Sequence, residues 1–363
     1  MQDDAITMPS TLDAVLVNDT SVSGHAGCVL VVDQIRRLAA EQGIRFTAAC
    51  PLRSHWHSLE ADLLRADLCI VNGEGTIHHS GKTGLALVEA ATWCRRHQIP
   101  CALINAVYQE NDERFHRHTR SFDRVYVRES LSRQSLAEQG IDAQVVPDLT
   151  LSASVGPKAG RSRSGVLYND SVRRATAEAL FELSRRGPLP GQFVLIEGRG
   201  PRRTARQGVA ALLRHAGKVL RHRVRRGVYG RLARLPRLGR SDRIVLEAVL
   251  SAPAPGLDEL LERIAASECF VTGRFHGICL ALLTRTPFLT LASNSHKTEG
   301  MLADLGMSHR LLPDTDGLAS RLSGGFAFDA AEQARVDAYL TRARQSAVAM
   351  FADIAALARD RRR

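Results

Sequence analysis

Short apolar runs alternate with amphipathic stretches along roughly the first 150 residues of the chain. Apolar runs of about four to eight residues are typical of buried strands, and apolar residues at helical spacing between them are typical of helices that cover a sheet. The stretches 29–42 and 85–97 have helical spacing, and Gly43 is suited to end the first of these helices. The candidate strands are 14–18, 45–50, 68–72, 101–106, 124–128 and 144–147.

A second series of the same kind follows the first, and its candidate strands are 165–169, 192–197, 243–249, 269–272 and 287–292. Strands that alternate with helices of this length predict an α/β fold with mainly parallel sheets. A segment rich in Gly, Ser and Pro separates the two series, and it is predicted to be a linker. The predicted organisation is an N-terminal domain 1–151, a linker 152–164, a C-terminal domain 165–328 and a C-terminal helix 329–363 that packs across both domains.

Length and composition agree with two cores in one chain. Single cores stop growing at about 250–300 residues, and this chain has 363 residues of which 44% are hydrophobic. The seven cysteines are scattered and form no CxxC pair, which favours a reducing compartment and argues against a disulfide framework or a structural zinc site. With no apolar run of about 18 residues and a polar start, the sequence predicts a cytoplasmic protein.

The net charge of +11 comes from one segment. Residues 198–241 contain 14 Arg or Lys and no acidic residue, so the other residues together carry −3, the difference between +11 and +14. Apolar residues recur there at helical spacing, which predicts a basic amphipathic helix on an anionic membrane surface, at the inner face of the membrane. An acidic glycan and a merely solvated insertion are the alternatives. Nucleic acid is disfavoured, because Tyr229 is the segment's one aromatic residue.

The stretch Arg274-Phe-His276-Gly277 follows a candidate strand, and Lys297 follows the next one. In open α/β sheets, ligands bind outside the carboxyl ends of strands, where helix N-termini present free N–H groups. A guanidinium, an imidazole and an ammonium group at such an edge are suited to hold phosphate or carboxylate. The alternative is that Arg274 and His276 cap a helix or pair with core carboxylates.

Another candidate site follows the strand at 68–72. Gly73 and Gly75 flank Glu74 and allow a tight turn that brings backbone N–H groups near a ligand. Glu74 is a candidate acid or base, and His78 is a candidate ligand residue unless it lies on the loop surface. The loop is neither a Walker loop nor a GxGxxG fingerprint.

Three further loops carry candidate residues. His25 follows the first strand and is a candidate for ligand binding, whereas Cys28 is either a nucleophile or, as we favour, a small core residue. Arg128 and Asp148 lie at strand ends, where they contact ligand or form a structural salt bridge. No metal site is predicted, because the histidines lack the i, i+4 spacing of a helix-borne site.

Taken in order, these pieces resemble the polysaccharide pyruvyl transferase family over residues 15 to about 306. The chain departs from the family pattern at two places. Where the family has a GNxGD opening, this chain has NDTSVSGHAGC, and where the family usually has a GGG turn, this chain has Gly73-Glu74-Gly75. The matching pieces are Asn18-Asp19-Thr20, His25-x-Gly27-Cys28, Val71 to Thr76, Val127-Arg128-Glu129-x-x-Ser132, Pro147-Asp148, Arg274 to Gly277, and Lys297.

The resemblance implies a glycosyltransferase-B-like fold of two Rossmann-like domains that face a cleft. It implies phosphoenolpyruvate as donor, a glycan acceptor, and a pyruvate ketal on a sugar of a cell-surface polysaccharide or its lipid-linked precursor, with no metal or redox cofactor required. Arg274, His276 and Lys297 would bind the anionic donor. His276 is then the general acid or a phosphate ligand, and Glu74 or Asp148 is the base.

Two other functions remain open from the sequence. A sugar-nucleotide-dependent glycosyltransferase on the same framework would also bind phosphate at this edge of the C-terminal domain. A non-catalytic membrane-surface protein would depend on the basic segment and not on His276.

Overall fold

The computed structural model describes residues 11–155, 162–196 and 255–362. The basic segment 198–241 and the candidate strand 243–249 lie outside the described residues. Within the described ranges, no helix combines the length and the apolar composition needed to cross a membrane.

The first half of the chain forms a six-stranded parallel sheet in the order β2-β1-β3-β4-β5-β6. Every residue of β3 and β4 is buried, because helices cover both faces of the sheet. The strands are β1 (Leu12–Asp19), β2 (Ile44–Pro51), β3 (Leu68–Asn72), β4 (Cys101–Ala106), β5 (Arg124–Val127) and β6 (Gln144–Val145).

The second half forms another parallel sheet, with its described strands in the order β11-β10-β9-β7-β8. Read from the other edge, this order repeats that of β2-β1-β3-β4-β5, so the two sheets share one topology. The predicted α/β architecture with two mainly parallel sheets is confirmed. The strands are β7 (Val166–Ser171), β8 (Gln192–Val194), β9 (Cys269–Gly273), β10 (Phe288–Leu291) and β11 (Leu311–Leu312).

The helices pack their apolar sides on the sheets. Val31 and Ile35 of the first helix pack against Ala14 and Leu16 on one face of the first sheet. Val15 points to the other face and belongs to a separate core. In chain order the described helices are α1 (Ala26–Glu41), α2 (Glu60–Leu63), α3 (Lys82–Arg96), α4 (Glu113–Thr119), α5 (Ser130–Ala137), α6 (Arg174–Arg186), α7 (Leu257–Ala266), α8 (Phe275–Leu283), α9 (Lys297–Leu305), α10 (Thr315–Gly324) and α11 (Ala330–Arg362).

The long helix α11 connects the two cores. Its first half packs Val336 and Leu340 into the core beneath the second sheet. Its second half packs Met350 and Phe351 into the core beneath the first sheet. The helix therefore crosses back over both sheets, as its periodicity predicts. The exact domain boundaries stay a prediction.

Each sheet has a switch point at which the direction of the chain connections reverses. In the first sheet it lies between β1 and β3, and in the second between β7 and β9, because the strand that follows each first strand pairs on its other side. Ligands of open α/β sheets bind outside the carboxyl ends of strands at such points. The helices that begin at these two places, α1 and α8, contact each other, so the two carboxyl edges meet at one cleft.

Candidate active site

The loop after β3 forms one wall of the cleft. A Cβ atom on Gly73 would lie 2.6 Å from the Cβ of Ala106, and one on Gly75 would lie 3.2 Å from Nη2 of Arg128. Both glycines therefore allow close approach to the neighbouring loops. Glu74 between them has a φ of 40°, in the left-handed region of the backbone. This conformation costs energy for any residue other than glycine, and residues that adopt it cluster at functional sites.

The carboxylate of Glu74 is held in place by three donors. Its side chain accepts hydrogen bonds from the hydroxyl of Thr20, from the amide of Asn72 at 3.3 Å and from the thiol of Cys28 at 3.3 Å. Only 6% of the residue is exposed. These donors come from the ends of β1 and β3 and from α1, so the Glu74 carboxylate is fixed at the switch point of the first sheet.

Arg128 and Asp148 form a buried ion pair at the ends of β5 and β6. Nη1 of Arg128 lies 3.1 Å from Oδ2 of Asp148, and the other carboxylate oxygen accepts from the backbone N–H and the hydroxyl of Thr150. Burial opposes ionisation of Asp148, but His276, Arg128 and Thr150 together hold its pKa well below the ordinary value. The predicted alternative of a salt bridge is thus realised, and the pair lies in the cleft.

His276 is brought to the same place by the second sheet. It lies in the first turn of α8, is only 8% exposed, and its Nε2 is 3.7 Å from Oδ2 of Asp148, which is beyond hydrogen-bond length. A Cβ on Gly27 would lie 2.2 Å from Cγ of His276, and one on Gly277 would lie 2.3 Å from Oγ1 of Thr272. Glycine at position 27 lets His276 approach α1, and glycine at position 277 lets α8 pack closely on Thr272 of β9.

His25 and Cys28 at the start of α1 face His276. The rings of His25 and His276 have their centroids 5.2 Å apart. Burial and the neighbouring His276 and Arg274 lower the pKa of His25, which keeps its imidazole neutral. Burial and Glu74 raise the pKa of Cys28 well above its ordinary value, so a thiolate nucleophile is disfavoured at this position.

Arg274 does not present an unneutralised charge, because it pairs with Asp170 from the end of β7. Its backbone N–H donates to Oγ1 of Thr272 at 3.0 Å, which fixes the start of α8. The alternative of pairing with a carboxylate is therefore realised for Arg274. Asp170 was not predicted as a site residue, although it occupies in the second sheet the position that Asp19 has in the first.

Lys297, at the start of α9, is a buried cation with neutral hydrogen-bond partners. Its Nζ donates to the side-chain oxygens of Asn294 and Ser295, the latter at 3.0 Å, and 6% of the residue is exposed. Burial, and after it the charges of Arg128 and Arg274, lower the pKa of Lys297 to about 7. Arg128 from the first sheet and Arg274 from the second thus both lie near enough to Lys297 to disfavour its charged form.

Of the two adjacent histidines, His78 faces the cationic cluster and His79 faces solvent. Burial and the charge of Lys297 lower the pKa of His78 to about 4. His79 is exposed and pairs with Glu110 at 3.1 Å. His78 is therefore neutral near pH 7 and lines the cleft.

A second contact between the sheets was missed by the sequence analysis. The hydroxyl of Ser132 on α5 lies 3.2 Å from Nε2 of His296 and donates to Glu129, and the side chain of Gln109 accepts from the backbone N–H of His296 at 2.7 Å. Glu129 and Ser132 lie in one of the matching sequence pieces and His296 directly precedes Lys297, but nothing in the sequence pairs Ser132 with His296 across 164 residues.

The chain is similar in sequence to a known protein family. A scan against protein-family models matches residues 25–295, more than half of the chain, to the family described as polysaccharide pyruvyl transferase. No curated protein is similar enough in sequence to match.

Several solved structures are similar in fold at low sequence identity. UDP-GlcNAc 2-epimerase from Methanocaldococcus jannaschii, in complex with UDP-GlcNAc and UDP, aligns with a TM-score of 0.54 at 12% identity, over 91% of this chain and 99% of that one. MnaA from S. aureus, in a co-structure with UDP, aligns with a TM-score of 0.52 at 12% identity, over 90% and 91% of the two chains. The epimerase from Neisseria meningitidis gives 0.50 at 10% identity, over 94% and 99%.

These likenesses concern the fold alone. They support two Rossmann-like units of the glycosyltransferase-B-like type, as the resemblance implies. The family match covers the pieces from His25 to Ser295 that form the two walls of this cleft. The chain belongs to the polysaccharide pyruvyl transferase family, a family of enzymes.

Proposed function

We propose that the enzyme transfers a pyruvyl group from phosphoenolpyruvate to a sugar of a cell-surface polysaccharide or its lipid-linked precursor, with formation of a pyruvate ketal. The observation that carries the proposal is Lys297, a buried ammonium group with neutral partners beside Arg128 and Arg274. A charge in such a place is stabilised by an anion, and phosphoenolpyruvate carries both a phosphate and a carboxylate.

Arg128 supports the same ligand class. Its Nε is buried without a hydrogen-bond partner among the described residues, although Nη1 is paired with Asp148. A buried donor without a partner is costly, whereas a guanidinium can bind one carboxylate and still donate to a second anion. The phosphate or carboxylate of the donor would satisfy this N–H.

The residues of the cleft fit the steps of ketal formation. A proton must reach the methylene carbon of the donor, which makes C2 electrophilic. A sugar hydroxyl loses its proton to a base and attacks C2, phosphate leaves, and a second hydroxyl closes the ring. His276 is suited to act on the donor as acid or phosphate ligand. Glu74 is better suited as base than Asp148, because its hydrogen-bond donors are neutral groups, whereas the Asp148 carboxylate is paired with the cationic Arg128.

Replacement of His276 tests the assignment. We expect His276→Ala to lower the rate of phosphate release from phosphoenolpyruvate by about 10²–10⁴, as for loss of an acid–base group. Release is measured with a panel of free and lipid-linked oligosaccharides as acceptors. His309→Ala is the control, because that histidine lies on the far side of the C-terminal core against Glu332. Turnover of His276→Ala within threefold of wild type would contradict the role.

A sugar-nucleotide-dependent glycosyltransferase is the second candidate, and the likeness in fold to proteins solved with UDP ligands is what favours it. Consumption of a UDP- or GDP-sugar, with phosphoenolpyruvate left unchanged, would establish this activity instead.

The cellular location is part of the proposal. A cytoplasmic enzyme that modifies a lipid-linked glycan works at the inner face of the membrane, and the basic segment 198–241 has the composition for reversible attachment to anionic lipid. Binding to vesicles with and without anionic lipid tests this location.

A further inference from the structure

We infer that His25, Cys28 and His276 form a binding site for one divalent transition-metal ion of the Zn²⁺ type, shared between the two halves of the cleft. This inference goes beyond the proposed function and does not rest on it. Its residues come from α1 on one side and α8 on the other, at the point where the two switch points meet.

The three side chains bring their ligand atoms together without being neighbours in sequence. One imidazole nitrogen from each histidine and the sulfur of Cys28 all lie within 4.8 Å of one another. Two nitrogens here, Nδ1 of His25 and Nε2 of His276, are buried and have no hydrogen-bond partner among the described residues. Buried polar atoms are normally paired, so two unpaired nitrogens in one cluster point to a missing ligand.

The donor set matches a borderline metal ion. Zn²⁺ binds imidazole nitrogen at about 2.0–2.1 Å and thiolate sulfur at about 2.3 Å, which places ligand atoms of one tetrahedron roughly 3.3–3.6 Å apart. From separations of up to 4.8 Å, the ligand atoms would have to close by at most about 1.2–1.5 Å, a movement within reach of side-chain rotation. His25 and Cys28 are half-buried, so the site is accessible from the cleft.

Binding balances in protons and charge. The thiol of Cys28 gives up its proton, the S–H bond is replaced by a bond from sulfur to the metal ion, and the proton goes to solvent. Two carboxylates adjoin the cluster: Glu74 accepts from the thiol at 3.3 Å, and Asp148 lies 3.7 Å from Nε2 of His276. They supply negative charge close to the ion and acceptors that orient its ligands.

Two of the three ligands lie at the start of α1. His25 is the N-cap of the helix, and Cys28 follows three residues later on the same face. Three protein ligands leave a fourth position for water or a substrate oxygen, as in catalytic zinc sites. A metal ion bound by these residues would supply Lewis-acid chemistry at the open position, and His276 would then serve as a ligand rather than as a proton donor.

A second group of thiols serves as the internal control. Cys69, Cys94 and Cys101 also lie within 4.8 Å of one another, but they are fully enclosed in the apolar core of the first sheet. Because they are enclosed on all sides, they are better explained as small core residues.

Titration of the full-length, metal-stripped protein with Co²⁺ tests the inference. We expect thiolate-to-Co²⁺ charge-transfer absorption that saturates at one equivalent. Cys28→Ser should abolish it, and Cys94→Ser should leave it intact. His25→Asn keeps a good N-cap and should therefore fold, yet it should weaken Co²⁺ binding at least about tenfold, since loss of even an outer partner of a ligand costs about 10–100-fold.

Either of two results would overturn the metal site. One is the absence of a one-equivalent charge-transfer band in the wild type. The other is a band that persists in Cys28→Ser, together with unchanged Co²⁺ affinity in His25→Asn. Calorimetry of the same preparations with phosphoenolpyruvate, with and without Zn²⁺, keeps this result separate from the proposed function. Donor binding without any Co²⁺ band would remove the metal site and leave pyruvyl transfer standing.

Discussion

At the scale of single residues, the cleft is a set of charges that differ in how well they are compensated. Arg128 forms an ion pair with Asp148, and Arg274 forms one with Asp170, and these two pairs line opposite sides of the cleft. Lys297 has only neutral hydrogen-bond partners and is therefore the group whose protonation an anionic donor affects most.

We expect donor affinity to fall as the pH rises above 7. Lys297 has a pKa of about 7 in the free protein, and a bound anion stabilises its charged form, so the complex takes up a proton in this range. Calorimetry in buffers of different ionisation enthalpy measures that uptake. Lys297→Arg should bind the donor with no such pH dependence, because arginine stays charged. Equal proton uptake in the two proteins would contradict this role.

The stability of the free protein depends on pH in the opposite direction from donor affinity. Between pH about 7 and the ordinary lysine value of about 10.4, the unfolded chain binds more protons at this position than the native one. Lys297 therefore makes the free energy of unfolding rise with pH in this window.

At the scale of elements, the ends of the long buried strands could be predicted from the sequence, whereas the side-chain contacts between elements could not. The strands Leu68–Asn72 and Cys101–Ala106 have the predicted bounds, because fully buried strands give uninterrupted apolar runs. The short strand Leu311–Leu312 was not predicted, since two residues carry no periodic signal.

The site shows the same division. Its residues could be found because they follow apolar runs directly, as Glu74 follows β3 and Arg274 follows β9. The pairing of Arg274 with Asp170 depends on which strands are neighbours within the second sheet, and the contact of Ser132 with His296 depends on how the two sheets meet. Local patterns encode neither. The proposed metal-ligand group was missed because His25 and His276 lie at the start of helices that belong to different sheets.

The contact between α1 and α8 depends on a residue without a side chain. An alanine Cβ at position 27 would lie 2.2 Å from Cγ of His276. We expect Gly27→Ala to cost about 1–3 kcal/mol through overpacking and to weaken donor binding with it. Gly324→Ala at the end of α10 is the control: a Cβ there meets nothing within 4 Å, and stability should stay equal or rise slightly. A Gly27→Ala protein with unchanged stability would contradict the close contact of the two helices, and unchanged donor affinity would contradict its importance for the cleft.

At the scale of the whole molecule, α11 holds the two halves in register around the cleft. Its residues contribute to the cores beneath both sheets, so the relative position of the walls depends on this helix as well as on the contacts in the cleft.

Phe351 tests the role of this helix. Its side chain is fully buried beneath the first sheet, and we expect Phe351→Ala to lower the free energy of unfolding by about 3–5 kcal/mol, as for other buried aromatic residues. Val348 lies on the same helix and is 42% exposed. Val348→Ala should change the free energy of unfolding by less than about 0.5 kcal/mol. Denaturant titration of both variants measures the difference, and equal values would argue against docking of α11 on this core.

Calorimetry of the purified protein with phosphoenolpyruvate, and with UDP- and GDP-sugars as parallel ligands, tests the central claim most directly. The account predicts saturable binding of phosphoenolpyruvate that weakens at least about tenfold, or about 1.4 kcal/mol, in Arg274→Ala and in Lys297→Ala, with no comparable binding of the sugar nucleotides. Saturable binding of a UDP- or GDP-sugar, with phosphoenolpyruvate giving no heat beyond dilution, would contradict it.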